Sequence, residues 1–157
     1  MQLISSVYIY IENRIVSAEL TVGQLERKLS QKIQALYKEK LGHRPSQIIC
    51  KLFDQKVVIV IEDSITPAEQ LLVATGDDRF VEQVRSNLDE AISPYIRETI
   101  EQILEVTVED LLSDATIETG RTAIVAVLGD TPVARNIEAI PKGKKLPKAP
   151  APSVIDN

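Results

Sequence analysis

The sequence predicts an α+β fold, in which helices pack on a four-stranded, mainly antiparallel sheet in the order α-β-β-α-α-β-β. Three observations support this prediction. An amphipathic helix comes first, four short strands occur as two adjacent pairs, and the other helical segments lie between the pairs. Strands that are neighbours in the sequence usually pair in space, and short connections favour antiparallel ladders. Helices grouped apart from the strands then form a separate layer on the sheet.

The first helix is predicted over Val22–Leu41. Thr21 precedes it and Gln24 follows three residues later, which is the pattern of a capping box. Gly42 can adopt the left-handed conformation that ends a helix. Apolar side chains recur at helical spacing and form one stripe for burial, which consists of Leu25, Leu29, Ile33, Leu36 and Tyr37.

The first pair of strands is predicted over residues 46–53 and Lys56–Glu62, with Asp54 and Gln55 as a two-residue hairpin turn. Residues 57–61 are apolar without interruption. Such a run is typical of a strand that is covered on both faces, so we expect cover on each side of this strand.

A short helix is predicted to begin after Thr66 and to end near Val73. Thr66 can cap this helix, Pro67 suits its first position, and Glu69 can reach back to complete a second capping box.

A longer helical segment follows a break at residues 75–78. Pro94 lies within this segment and either kinks the helix or begins a new one, because proline removes a backbone donor and clashes with the preceding turn. The apolar positions keep a helical period throughout, at Phe80, Val81, Val84, Leu88, Ala91, Ile92, Ile96, Ile100, Ile103 and Leu104.

The second pair of strands is predicted over residues 106–115 and 122–128. Residues 123–128 are again wholly apolar, so this strand is also expected to be covered on both faces. Two strands that are apolar on both faces need extra cover in so small a sheet. We expect either a homodimer or an additional strand from the N-terminal residues to supply that cover.

The chain divides into three parts. Residues 1–20 are predicted to be an arm or an additional strand, or to precede a native start near Thr21. Residues 21–129 form a single domain, and residues 130–157 a flexible tail rich in proline and lysine. The tail is interpreted as a solvated end or as an electrostatic arm for anionic lipid or an acidic partner.

Composition and charge indicate an ordinary globular domain. Of 157 residues, 44% are hydrophobic and 26% charged, and no segment approaches the roughly 20 apolar residues that cross a bilayer. Residues 1–61 carry nine Lys and Arg against five Asp and Glu, residues 62–118 carry three against fifteen, and residues 119–157 carry six against three. Because the acidic middle repels phosphate backbones, no nucleic acid is expected as a partner.

The search for chemistry predicts no catalytic, cofactor-binding or metal-binding residue. His43 is the only histidine and follows a helix-ending glycine, where exposed polar residues are common. Cys50, the only cysteine, lies within a strand and is interpreted as a small core side chain, because apolar burial suppresses the thiolate. One histidine and one cysteine do not make a zinc site of the usual kind.

Two acidic pairs are weak candidates. Asp77 and Asp78 resemble a fragment of a calcium loop but lack its alternating ligands, so helix capping is the favoured role. Ser113 and Asp114 are interpreted as a hydrogen-bonding pair at a turn or strand end. The sequence therefore predicts a protein that is not an enzyme and has no cofactor.

Several short blocks, in order along the chain, resemble a known family. The chain is identified as a member of the MpsC-like family, small bacterial proteins named for a sodium-translocating, membrane-potential-generating system that is also linked to uptake of inorganic carbon. The resemblance covers about residues 22–128. Its blocks are residues 29–31, 36–39, 41–42 with Pro45, 66–69, 84–85, 112–114 and 119–121.

The resemblance implies an accessory or regulatory protein without catalysis, whose partner is a protein, expected to be a membrane transport complex. A cytoplasmic location follows, with peripheral contact at the inner membrane through the basic tail as an option. Two alternatives stay open at this point. One is a small-ligand-binding or sensor domain, with its ligand held between sheet and helices, and the other is an enzyme that uses Cys50 or His43.

Overall fold

A computed structural model describes residues 20–144 of the protein. The predicted N-terminal arm, apart from Leu20, and the tail from residue 145 onwards lie outside the described residues.

The predicted order of helices and strands is confirmed, with boundaries that shift by two residues at most. The elements are α1 Val22–Leu41, β1 Gln47–Phe53, β2 Lys56–Glu62, α2 Pro67–Val73, α3 Asp78–Leu104, β3 Val108–Thr116 and β4 Arg121–Leu128. The strands form one sheet in the order β1-β2-β4-β3, and every neighbouring pair is antiparallel. The hairpins β1-β2 and β3-β4 therefore pair with each other through β2 and β4, the two central strands of the sheet.

The local signals at the ends of α1 behave as the sequence predicts. The Thr21 hydroxyl accepts from the backbone N–H of Gln24, and the Gln24 side chain accepts from the Thr21 N–H, which completes the capping box. Gly42 has a φ of 65°, a left-handed conformation that glycine adopts without steric cost.

The hydrophobic core lies between one face of the sheet and the helices α1 and α3. Strands β1, β2 and β4 each contribute alternate side chains to it. The members with no or almost no solvent exposure are Leu25, Leu29, Ile33, Tyr37, Leu52, Val57, Ile59, Ile61, Ile96, Ile100, Leu104, Ile124, Ala126 and Leu128.

Among residues 20–144, no helix or strand covers the second face of β2 and β4, so its cover by a second copy or by the N-terminal residues stays a prediction. Val58 and Val60 of β2 are only half-buried, as are Val125 and Val127 of β4. Both long helices pack on the opposite side. An apolar run shows that a strand is hydrophobic on two faces, but it does not show that one chain supplies both covers.

Pro94 lies inside α3, which continues as one helix from Asp78 to Leu104. The Pro94 side chain is exposed, and the Ser93 hydroxyl donates to the carbonyl oxygen of Asp89 at 2.7 Å. Of the two alternatives for this proline, a new helix is therefore excluded.

Residues 130–144, which the sequence assigns to the tail, lie against the domain. The Asn136 side-chain oxygen accepts from the Val22 N–H at 2.8 Å, and Ile140 is buried in the core. A 3-10 turn, Ile137–Ala139, connects the two. The sequence of this segment has neither helical nor strand periodicity, because individual contacts attach it to the domain and it has no repeating apolar face.

Candidate functional site

A buried ion-pair cluster lies where α2, α3 and the end of β2 meet. Its centre is Arg85 of α3, whose side chain is 4% exposed. The guanidinium donates to both carboxylate oxygens of Glu69 at 3.0 and 3.2 Å, and to Asp89 at 2.7 and 3.2 Å. A further bond reaches the carbonyl oxygen of Ser64 at 3.3 Å. Arg85 thus connects two helices to the segment that leaves the sheet.

Glu69 is held by its own helix cap as well as by Arg85. The Thr66 N–H and hydroxyl donate to the same carboxylate oxygen at 2.8 and 2.7 Å, and the Thr66 hydroxyl accepts from the Glu69 N–H. The Glu69 side chain is only 2% exposed. A capping box that elsewhere lies at a helix surface is here part of the buried charge network.

The cluster continues to the sheet through hydroxyl groups. Ser64 and Thr122 share a hydrogen bond of 2.8 Å, and the Ser64 hydroxyl also donates to the carbonyl oxygen of Gly120. Tyr37 of α1 is fully buried nearby, and its hydroxyl has no hydrogen-bond partner among the described residues. Burial raises the pKa of Tyr37 far above its usual value, and the charge of Arg85 opposes part of that rise.

Burial and charge act in opposite directions on the Arg85–Asp89 pair. Burial disfavours the charged guanidinium, but the hydrogen bond and charge of Asp89 outweigh it, so the pKa of Arg85 lies above its usual value. Burial raises the pKa of Asp89, and Arg85 offsets only part of this effect. Asp89 therefore stabilises the charged form of the Arg85 guanidinium.

A groove of about 510 Å³ opens above this cluster, between α3 and the edge strand β3. The α3 wall consists of Glu82, Arg85, Ser86, Asp89, Glu90 and Ser93, and the opposite wall is formed by Leu111, Ser113, Asp114, Ala115 and Ile117. The acidic residues Glu82, Asp89 and Glu90 line the groove from α3, while the donors of its one guanidinium point to Glu69, Asp89 and Ser64. Its electrostatic character favours cationic groups. Among residues 20–144, no three Asp, Glu, His or Cys side chains are grouped to hold a metal ion.

The structure does not bring Cys50 and His43 together. Cys50 is buried in the middle of β1 opposite Ile59, and burial raises its pKa to about 11. Nε2 of His43 donates to the carbonyl oxygen of Asp63 at 2.6 Å, beyond the end of β2. Four residues of strand separate Ile59 from Asp63, which is about 13 Å. The core role of Cys50 is confirmed, whereas His43, at 14% side-chain exposure, is less exposed than expected.

The capping role predicted for the pair Asp77 and Asp78 is confirmed, because Asp77 caps α3 by accepting from the Phe80 N–H. Ser113 and Asp114 lie within β3 rather than at a turn or strand end, and Asp114 accepts from the N–H of Ala115 at 2.9 Å. Both Ser113 and Asp114 also line the groove, a position that their sequence context did not indicate.

Sequence reasoning missed the cluster and the groove, although a signal was present. Polar residues recur on α3 at helical spacing, at Glu82, Arg85, Ser86, Asp89, Glu90 and Ser93, as a stripe beside the apolar one. Several blocks that carry the family resemblance also meet here. They supply Tyr37, Thr66, Glu69, Arg85, Ser113 and Asp114.

Fold and site together define a small α+β domain with a buried ion-pair cluster below an acidic groove. A family model described as the Na+-translocating membrane potential-generating system protein MpsC matches residues 21–130. The chain belongs to the MpsC family, as its sequence resemblance indicated. Neither the curated proteins nor the solved structures gave a match to this chain. Within residues 20–144, no helix has both the length and the apolar character needed to cross a membrane.

Proposed function

We propose that this protein is a non-catalytic accessory or regulatory component of a membrane-potential-generating transport system, and that it acts by binding a protein partner. The observation that carries the proposal is the family match, which includes every helix and strand from α1 to β4.

The internal bonding of the candidate chemical groups supports a role without catalysis. The donors of Arg85 are directed to Glu69, Asp89 and Ser64. The Cys50 thiol is buried with a raised pKa, which opposes formation of a nucleophilic thiolate. These groups stabilise the domain rather than present a reactive atom to solvent.

Affinity purification from detergent-solubilised membranes tests this proposal. With the tagged full-length chain as bait, we expect mass spectrometry to identify an integral membrane transport protein. An excess of untagged chain should compete that protein away, because a specific partner binds a limited number of sites. Recovery of no membrane protein, or of proteins that the untagged chain does not displace, would contradict the proposal.

The groove favours a second candidate function, binding of a small cationic ligand as a sensor domain. Its volume of about 510 Å³ lies within the range of small-molecule sites, and the acidic residues Glu82, Asp89 and Glu90 line it. This is the ligand position between sheet and helices that the sequence alternative describes.

A thermal-shift measurement with putrescine, spermidine and arginine distinguishes this candidate. A ligand that binds only the folded state raises the melting temperature, so we expect an increase that Glu90→Gln removes. Glu98→Gln is the matched control, because Glu98 is exposed on the same helix and does not line the groove. No shift, or an equal shift in both variants, would exclude the groove as the site of binding.

A further inference from the structure

The solvent side of α1 is basic. Arg27, Lys28, Lys32 and Lys38 of this helix are exposed, and exposed Arg44 follows the helix-ending Gly42. At a rise of about 1.5 Å per residue, the four helical cations extend about 17 Å along α1. We call these five cations the basic face.

The cations of the basic face are free to attract a partner. Among residues 20–144, no carboxylate forms an ion pair with any of them. Arg44 donates only to the neutral side chain of Gln34, at 3.5 Å.

Two anions of α1 lie beside the basic face, and both have a cation of their own. Glu26 accepts from Lys51 of β1 at 2.7 Å, and its side chain is only 11% exposed. Glu39 pairs with Lys40 at 3.3 Å. Each pair is neutral as a whole, so neither cancels the charge of the basic face.

Two further anions lie at its borders. Asp63 is next to His43, which donates to its carbonyl oxygen, and Glu98 of α3 accepts from Gln102 at 3.1 Å. Gln102 and Lys32 line the same shallow cleft between the helices. With its borders, the surface has a net charge of +3 from seven cations and four anions, which are Arg27, Lys28, Lys32, Lys38, Lys40, Arg44 and Lys51 against Glu26, Glu39, Asp63 and Glu98.

The other long helix has the opposite charge. The exposed charged positions of α3 are four anions and one cation, namely Asp78, Glu82, Glu90 and Glu98 with Arg79. A negatively charged surface therefore attracts α1 and repels α3. This separation can orient the molecule even though the whole chain has a net charge of −5.

We propose that the basic face docks on the anionic headgroup layer of a membrane, with the axis of α1 along the surface. Clusters of about four to eight Lys and Arg on an amphipathic helix are typical of contact with anionic lipid. The apolar stripe of α1 is buried in the domain core, so the contact is electrostatic and involves no insertion of the helix. The choice of a membrane over an acidic protein rests on the function proposed above, which locates the partner of this chain in a membrane.

The chemistry of the cations suits a layer of lipid headgroups. Lys28, Lys32 and Lys38 are compact point charges on flexible stems, which can follow phosphates at variable positions. Each Lys or Arg close to an anionic membrane strengthens binding about fivefold. The attraction is screened over about 10 Å at 0.1 M salt, so we expect weak, reversible binding that depends on salt.

Co-sedimentation of the full chain with lipid vesicles tests this inference. We expect binding to vesicles of equal parts phosphatidylcholine and phosphatidylglycerol, and none to phosphatidylcholine alone. Lys28→Gln with Lys32→Gln should weaken binding by about tenfold or more, because two cations leave the basic face. Glutamine has a helix propensity close to that of lysine, so the fold should be retained, which circular dichroism checks.

Arg79→Gln with Arg121→Gln is the matched control. It removes the same net charge from α3 and β4 and should change binding by less than about twofold, because neither residue belongs to the basic face. Lys145→Gln with Lys148→Gln tests the lysines that follow residue 144 in the sequence. Soluble polyglutamate, which carries carboxylates without a bilayer, is the probe for an acidic protein partner.

Four results would overturn the inference. They are no binding to anionic vesicles, equal binding to neutral vesicles, full binding by the Lys28 and Lys32 variant, and binding to polyglutamate but not to vesicles. Loss of binding in the Lys145 and Lys148 variant alone would assign the contact to the tail instead of α1. Because the vesicles contain no protein, this test can fail while a membrane protein is still recovered by affinity purification, and the reverse also holds.

Discussion

At the scale of single residues, Arg85 of α3 forms hydrogen bonds that join two helices and the segment that follows β2. Its guanidinium joins Glu69 of α2, Asp89 one turn along α3 and the backbone of Ser64. Arginine suits this position because its planar donors satisfy two carboxylates at once without losing charge. Removal of one member of such a group leaves buried charges without compensation.

Arg85→Met should therefore lower the free energy of unfolding by about 3–5 kcal/mol, because the buried Glu69 carboxylate loses its cation. The matched comparison is Arg121→Met, which breaks the exposed pair with Glu62 and should cost about 0–1 kcal/mol. Urea unfolding followed by circular dichroism measures both. Arg85→Lys should give an intermediate loss, and equal losses for Arg85→Met and Arg121→Met would contradict the structural role of the cluster.

Tyr37 gives a prediction about alkaline pH. Because burial raises its pKa in the folded state, Tyr37 stays protonated there while the unfolded chain ionises above about pH 10. The folded state then binds more protons than the unfolded state, so its stability falls as the pH rises.

Tyr37→Phe should remove this loss and make the decline in unfolding free energy between about pH 10 and 11.5 smaller by about 1–2 kcal/mol. At pH 7 the change should be below about 1 kcal/mol, because the hydroxyl lacks a partner. Tyr95→Phe, at an exposed position, is the control. An unchanged slope in Tyr37→Phe would show that the buried phenol does not limit alkaline stability.

At the scale of elements, one local motif occurs in two environments. Thr21 with Gln24 and Thr66 with Glu69 both form complete capping boxes. The hydrogen bonds of the first box are exposed, whereas the second is buried and its carboxylate also binds Arg85. The same capping motif is therefore expected to contribute more to the free energy of unfolding at Thr66 than at Thr21.

Thr66→Ala should reduce stability more than Thr21→Ala. We expect about 0.5–1 kcal/mol for the exposed cap and about 2–3 kcal/mol for the buried one, where the Glu69 oxygen also loses a donor. Chemical denaturation of both variants measures the difference. Equal effects would indicate that the cap of α2 is independent of the cluster.

Strand β3 shows how an exposed sheet edge is protected. Asp110 and Asp114 each accept from the N–H of the next residue, so that these donors are satisfied within the strand. Charged residues along an edge also disfavour pairing with a strand of another chain.

At the scale of the whole molecule, the sheet separates two different surfaces. One face is covered by α1 and α3, and the other presents the half-buried valines of β2 and β4. The acidic groove is a third surface, beside β3. The strongly acidic middle of the sequence contributes Glu82, Asp89 and Glu90 to the groove.

The elements could be predicted from sequence because each has a local signal. Capping boxes, Gly42, Pro67 and the apolar periods place helices and strands within two residues of their observed limits. The groove could not be predicted in this way. The groove depends on the contact between α3 and β3, and no local sequence pattern indicates that contact.

The sequence by itself determined which segments are helical or extended, where they begin and end, and which family the chain belongs to, since these depend on residues near one another in the chain. Only the tertiary structure decided that Arg85, Glu69 and Asp89 share one buried site and that no helix of residues 20–144 lies on one apolar face of β2 and β4. Hydrophobicity records that a side chain favours burial. The spatial arrangement of distant elements determines what buries it.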